Sequence, residues 1–249
     1  DAELVSRDLL AHALMYYGRG ITVVYYGDEQ GFVGDGGDQD ARQDMMASQV
    51  ATYLDDDLIG TNATPGSANF DQQHPLYRGL AGYAALLRDH PALRRGAQLQ
   101  RYSESTAGLY AFSRIDRDER VEYLVVLNNS EAADSATFSV DSVATRFSEI
   151  HPGDGAALTS DADGRVSVSV PALGVRVFRA DAPLPPDLER DLVAAPPVRQ
   201  RRQRHDDDLA AALRAHLVHH VADRRLDVLR DHVGEVVDVA DGRRQLDAL

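Results

Sequence analysis

Gly20-Ile21-Thr22-Val23-Val24-Tyr25-Tyr26-Gly27-Asp28-Glu29-Gln30-Gly31 is the stretch that decides the fold, with Gly36-Gly37-Asp38-Gln39-Asp40-Ala41-Arg42 close behind it. From Ile21 to Tyr26 only Thr22 interrupts an apolar and aromatic run, the mark of a strand covered on both faces. Glycines and carboxylates follow at once. A parallel β/α scaffold delivers polar groups in this way, at the carboxyl ends of its strands.

Upstream of this stretch, Leu4, Leu9, Ala13 and Tyr17 recur at nearly helical spacing and predict an amphipathic helix closed by Gly18 and Gly20. Downstream, Asp44 to Leu54 predicts a short helix, and Asp55 to His74, rich in Gly, Asn, Asp and Ser, reads as irregular surface. Pro75 suits a first helical position, and Leu76, Leu80, Tyr83 and Leu87 line one face of a helix that ends before His90-Pro91. Helix, strand, long loop and helix, in that order, make the last unit of a β/α repeat.

Beyond about Gly96 the period becomes alternating. Candidate strands are Gln98–Ser103, Leu109–Ile115, Val121–Asn128, Ala136–Val140, Arg146–Ile150, Val166–Val170 and Gly174–Arg179. Short strands punctuated by Gly, Asn, Asp and Ser predict an antiparallel sandwich able to fold alone. From Pro183 the composition shifts again. Pro183, Pro185, Pro186, Pro196 and Pro197 form a joint, the basic cluster Arg199, Arg201, Arg202 and Arg204 follows, and then comes a stretch without Phe or Tyr. The expected divisions are therefore 1–95, 96–182 and 183–249, the last a linker and a weakly helical tail or an out-of-frame extension.

Bulk properties narrow the function classes. The 249 residues carry a formal net charge of −14, and every basic residue is Arg. An acidic chain is a poor partner for polyanions, because counterion release needs cations facing phosphates; neutral sugars stay open. The Arg199–Arg204 run sits in acidic surroundings without aromatics and reads as no nucleic-acid patch. There is no Cys, so disulfides are excluded and the compartment cannot be read from redox chemistry. No apolar run is long enough to span a bilayer, and no membrane partner is expected. The chain opens at Asp1 inside a helical pattern, without Met or a leader, as a piece of something longer would.

The 20–42 segment resembles glycoside hydrolase family 13, the α-amylase family. Its eighth barrel strand reads Gly-x-Pro-x-x-Tyr-x-Gly-x-Glu and precedes a loop ending Asp-x-x-x-Arg. Gly20, Tyr25, Gly27 and Glu29 match in order, and Thr22 stands where the family has Pro. His90-Pro91-Ala92-Leu93-Arg94 is similar to the link after the last barrel helix, while Tyr110–Arg114 and Val125–Asn128 resemble early strands of the family's C-terminal sandwich. The resemblance runs from about Asp1 to Ala182. It implies an α/β fragment of a (β/α)₈ TIM barrel, with the final strand and flanking helices, followed by an antiparallel all-β sandwich.

The resemblance also implies a parent that cleaves α-1,4-glucans such as starch and maltooligosaccharides with retention, through two carboxyl groups about 5–5.5 Å apart. In the family these groups, and a third stabilising Asp, lie at the ends of strands four, five and seven. All precede the eighth strand, so the resemblance assigns no catalytic residue to this chain and implies that it is inactive alone. What carries over is a sugar contact: Asp38 and Arg42 match the loop pair that hydrogen-bonds the sugar just before the cleaved bond. Secretion of a parent is consistent with the family, and no signal segment is visible here. No cofactor is expected in this chain, and calcium is left open for a full-length parent.

Adjacent Asp28 and Glu29 diverge at a strand end and make a poor catalytic pair; Glu29 is expected to fix the loop through backbone N–H groups. Asp35, Asp38, Asp40 and Asp44 lack the glycine and terminal glutamate of a calcium loop, so no metal is assigned. His216 and His220, one helical turn apart, lack the further ligands zinc would need. A non-catalytic carbohydrate-binding or docking module is the alternative, presenting Tyr102, Tyr110 and Tyr123 from the sandwich. Finally, an eighth strand without its two neighbours leaves Ile21–Tyr26 with apolar, unpaired edges.

Overall fold

A computed structural model describes residues 1–34 and 36–186; the expectations for Asp35, the Arg199–Arg204 cluster, His216, His220 and the tail lie outside them. Helix α1 spans Ala2–Tyr17 and buries Leu10, Ala13 and Tyr17 at helical spacing. Helix α2 spans Pro75–Asp89 and buries Leu76, Leu80 and Tyr83. Its first turn starts on Pro75, and the ring of His74 accepts the Leu76 N–H at 3.2 Å, satisfying one of the donors a helix leaves open. A short third helix, α3 (Pro91–Arg95), occupies what the sequence shows only as a link.

The helix expected over Asp44–Leu54 does not form; that stretch holds one 3₁₀ turn, Ala51–Tyr53. Side chains have captured the backbone there. Asp44 accepts the Met46 N–H at 2.8 Å and Ser48 accepts the Val50 N–H at 3.1 Å, local bonds that compete with a helical ladder.

Eight strands follow: β1 (Ala97–Ser103), β2 (Leu109–Ile115), β3 (Val121–Asn128), β4 (Asp134–Ser139), β5 (Arg146–His151), β6 (Ala157–Thr159), β7 (Arg165–Val170) and β8 (Val175–Pro183). Their pairing is antiparallel throughout, in a six-stranded sheet ordered β1-β2-β3-β8-β5-β6 and a two-stranded β4-β7 sheet. The seven expected strands are all present. Only β6 escaped, because three residues are too few to show an alternation.

Both faces of the large sheet are covered, which is why every residue of β3 is buried. Register sets Arg114, Tyr123 and Arg179 side by side across β2, β3 and β8, on the face that meets the helices. The opposite face, with Phe178 and Leu124, lies under β4-β7, whose Val166, Val168 and Val170 alternate inward. One apolar core links Leu10, Tyr17, Tyr83 and Leu93 to Phe112, Val125, Val168 and Phe178. The helices and the sheets therefore share a core across the 95/96 division.

The decisive stretch corrects one expectation. Ile21–Tyr26 belongs to no ladder, a turn begins at Tyr26, and Ile21 is 93% and Val23 70% exposed. A strand exists only through partners for its N–H and C=O groups. The sheets among the described residues are all built from residue 97 onward, and none reaches this segment.

Histidines tie the helices down and set a pH profile. His90 on the helix side stands 3.2 Å from the Tyr123 hydroxyl, and burial, then Arg179, pulls its pKa below the ordinary 6.5. His151 lies edge-on to Tyr83 at 5.4 Å and is lowered by burial. Lowered values mean that the unfolded chain takes up protons first. This contribution is whole above pH 6.5 and is lost as pH falls through the folded values. On α1, His12 lies between Asp28 (3.8 Å) and Asp8 (2.7 Å), which raise it to about 10. That contribution is whole below pH 6.5 and is lost as pH rises toward 10. We expect the urea midpoint to fall on both sides of about pH 6.5. His90→Gln and His151→Gln should flatten the acid limb, and His12→Gln the alkaline one.

Candidate functional site

The site grows from the turn that ends the 20–31 stretch. Gly27, with φ of +97°, turns the chain into the 3₁₀ turn Asp28–Gln30. The two carboxylates close that turn: the Gly27 N–H donates to Glu29 Oε2 at 3.0 Å, and the Tyr25 N–H donates to Asp28 Oδ2 at 3.1 Å. Glu29 thus holds backbone, and Asp28 also faces His12 on α1. Gly31, with φ of +77°, lies so close to the 57–60 loop that a Cβ would strike the Ile59 carbonyl; the Ile59 N–H donates back to Gly31 at 2.9 Å.

Asp38 and Arg42 meet as a fork. Arg42 Nε donates to one Asp38 oxygen at 3.2 Å and Nη2 to the other, while both side chains stay about half exposed. The Asp38 carboxylate raises the Arg42 pKa. The loop under them is closed by Asp40, which accepts the Gly37 N–H at 3.2 Å. The Tyr25 and Tyr26 rings lie 4.4 Å apart and exposed, within electrostatic reach of Arg42. A hydrogen bond with the Tyr25 hydroxyl raises Tyr26.

The structure therefore gathers Asp38, Arg42, Tyr25 and Tyr26 into one exposed patch, with Gly27 and Glu29 as the turn behind it. Gly20 marks the entry to the Ile21–Tyr26 run, with φ of +148°. Tyr26 is the member that sequence reasoning missed. In a regular strand neighbours point to opposite faces, and only the turn beginning at Tyr26 brings the two rings together. Asp44, from the acidic cluster, accepts the Met46 N–H, and Asp56 accepts from the Gln43 amide.

No family model matches the chain. An α-amylase of Streptomyces lividans is 47% identical to it over 180 residues, 72% of this chain and 20% of that protein. The chain belongs to the α-amylase family. A β/α-amylase of Paenibacillus polymyxa is 27% identical over 163 residues, 64% of this chain and 11% of that protein. The crystal structure of the α-amylase from Geobacillus thermoleovorans complexed with acarbose shares the fold, with a TM-score of 0.54 at 19% identity, over 72% of this chain and 34% of that one. This α-amylase-family chain spans a fifth or less of the length of the two curated relatives. Among its described residues, no helix is long and apolar enough to cross a membrane.

Proposed function

We propose that this chain supplies the eighth strand, the last helix and the C-terminal sandwich of a retaining α-amylase-type glycoside hydrolase acting on α-1,4-glucans. Residues 1–95 belong to the barrel and 96–182 to the sandwich. Asp38 and Arg42 grip the glucose unit bound just before the scissile bond. The observation that carries this reading is the 47% identity over 180 residues to an α-amylase. The exposed apolar residues of Ile21–Tyr26 support it: an apolar segment outside every ladder suits insertion between two parallel strands.

The chemistry of the pair fits a sugar. A carboxylate accepts from adjacent hydroxyls, and a guanidinium fork donates to others while holding the carboxylate in place. The fork is preformed, so little order is lost on binding. The nucleophile and the acid/base come from outside the chain, which is inactive alone. The sandwich-based binding module has less support, since its rings are occupied. Tyr123 is buried, Tyr102 stacks on Phe138 at 5.7 Å, and Tyr110 leans on Phe112 at 5.5 Å.

A chimaera tests the proposal. With the 180 matched residues replacing their counterparts in the Streptomyces lividans α-amylase, starch hydrolysis is expected to persist. Arg42→Ala or Asp38→Ala in that chimaera should lower kcat/KM about 10- to 100-fold, the worth of a charge-assisted hydrogen bond to substrate. A chimaera that folds but is indifferent to both substitutions overturns the assignment of the pair. Hydrolysis of soluble starch by the chain alone overturns its incompleteness.

A further inference from the structure

A cavity of about 320 Å³ opens between the 61–71 loop and the start of α2, and none of its walls belongs to the Asp38–Arg42 patch. Gln30, Thr61, Ser67, Asn69, Phe70 and Asp71 are the lining groups that matter. The walls are set by their own hydrogen bonds. The Gln30 amide donates to the Asp71 carbonyl at 3.0 Å, and its oxygen accepts the Asp71 N–H at 2.8 Å. The Asn69 amide donates to the carbonyls of Thr64 (3.1 Å) and Ser67 (2.8 Å), and its backbone N–H to Met45 at 2.9 Å. Behind them His74 accepts from Leu76 through Nδ1, which leaves Nε2 as a buried donor without a partner among the described residues. Phe70, 55% exposed, stands among these polar groups.

These walls select a ligand by exclusion. The lining holds no cation and one carboxylate, Asp71, so an anion gains nothing. A wholly apolar ligand would leave the His74 Nε2–H unanswered and would shut water away from the Thr61 and Ser67 hydroxyls. A neutral polyhydroxyl ring matches both halves: its hydroxyls meet the Thr61 and Ser67 hydroxyls and the His74 Nε2–H, and its C–H face meets Phe70. The volume lies at the small end of ligand pockets, enough for one or two sugar rings.

We infer that this cavity is a second sugar-binding site, holding a short neutral saccharide against Phe70. The preference for a neutral sugar rests on the cavity alone; the identification of that sugar as an α-glucan rests on the function proposed above. A preformed site on the same chain would hold a polymeric substrate at a second point and raise its effective concentration at the first.

Titration of the full isotope-labelled chain with maltotriose, followed by backbone amide resonances, tests it. Movement of Thr61, Ser67, Asn69 and Phe70 is expected. Phe70→Ala, an exposed position, should weaken the dissociation constant about tenfold or more, and Arg42→Ala should leave it within about twofold. The inference falls if those resonances stay still at saturating sugar, if Phe70→Ala binds as before, or if Arg42→Ala abolishes the movement. Cellotriose binding there as tightly as maltotriose would uphold the sugar site and count against the α-glucan reading alone.

Discussion

Glu122→Ala should lower folding stability by about 3–5 kcal/mol, the usual loss when one partner of a buried ion pair is removed. The measurement is a fall in urea midpoint at unchanged slope. Glu122 is 0% exposed on β3 and binds four groups. Its Oε1 accepts from Arg101 of β1 at 2.7 Å and from the Ser113 hydroxyl at 2.5 Å. Its Oε2 accepts the backbone N–H groups of Asp141 (3.0 Å) and Ser142 (2.7 Å), in the turn after β4. Arg101 also forks onto Asp141 at 2.5 and 3.2 Å. One carboxylate therefore stitches the large sheet to the end of the small one. Its loss leaves a nearly buried guanidinium with half its charge partners and strands two backbone donors. Against a typical total of about 5–15 kcal/mol, such a loss is a large fraction. Glu122→Gln retains one acceptor but turns an NH₂ toward donors, and should recover only part of it. A loss under about 1 kcal/mol in Glu122→Ala would show that the network carries little of the sandwich's stability.

Arg114→Ala should cost a similar amount, about 3–5 kcal/mol, for a different reason. Arg114 is 1% exposed, and no carboxylate pairs with it among the described residues. Its Nη1 donates to the Tyr17 carbonyl at 2.8 Å and its Nη2 to the Arg94 carbonyl at 3.2 Å, in the last turns of α1 and α3. Burial, and then the like charge of Arg19, pulls its pKa down to about 10. The partial negative charge at two helix C-termini offsets that and keeps the guanidinium in place. Alanine would leave a cavity and two unpaired carbonyls, and would release α1 from the sheet. Hydrogen exchange should report this directly: α1 amides should lose protection while the β4-β7 ladder keeps it. Arg114→Met, which fills the space without a buried charge, should cost less. If α1 amides stay protected in Arg114→Ala, the side chain is not what docks the helix.

Periodicity carried the elements well and their relations poorly. The bounds read for Leu109–Ile115 and Val121–Asn128 are those found, because short β-branched and aromatic runs punctuated by Gly, Asn and Asp are written in consecutive residues. The helices over Leu4–Tyr17 and Pro75–Asp89 were legible for the same reason, helped by Pro75 and Gly18. The short elements α3 and β6 fell below the length at which a period shows. The short helix expected over Asp44–Leu54 gave way because Asp44 and Ser48 drew the backbone into turns. Of the candidate site, the Asp38–Arg42 pair was singled out by the resemblance to the α-amylase family, and the Glu29 role stood in the sequence because its backbone partner is two residues away. The Tyr25–Tyr26 contact did not, because it depends on where the run stops.

The amino-acid sequence by itself determined the two long helices, seven of the eight strands and the backbone role of Glu29. Tertiary structure alone decided that Arg114 reaches a carbonyl 97 residues away, that Glu122 joins two sheets, and that Gln30 and Asn69 wall a common cavity. The division has a physical cause. Secondary structure answers to neighbours a few residues apart, whereas burial, charge pairing and cavities are properties of surfaces that meet only when distant segments pack.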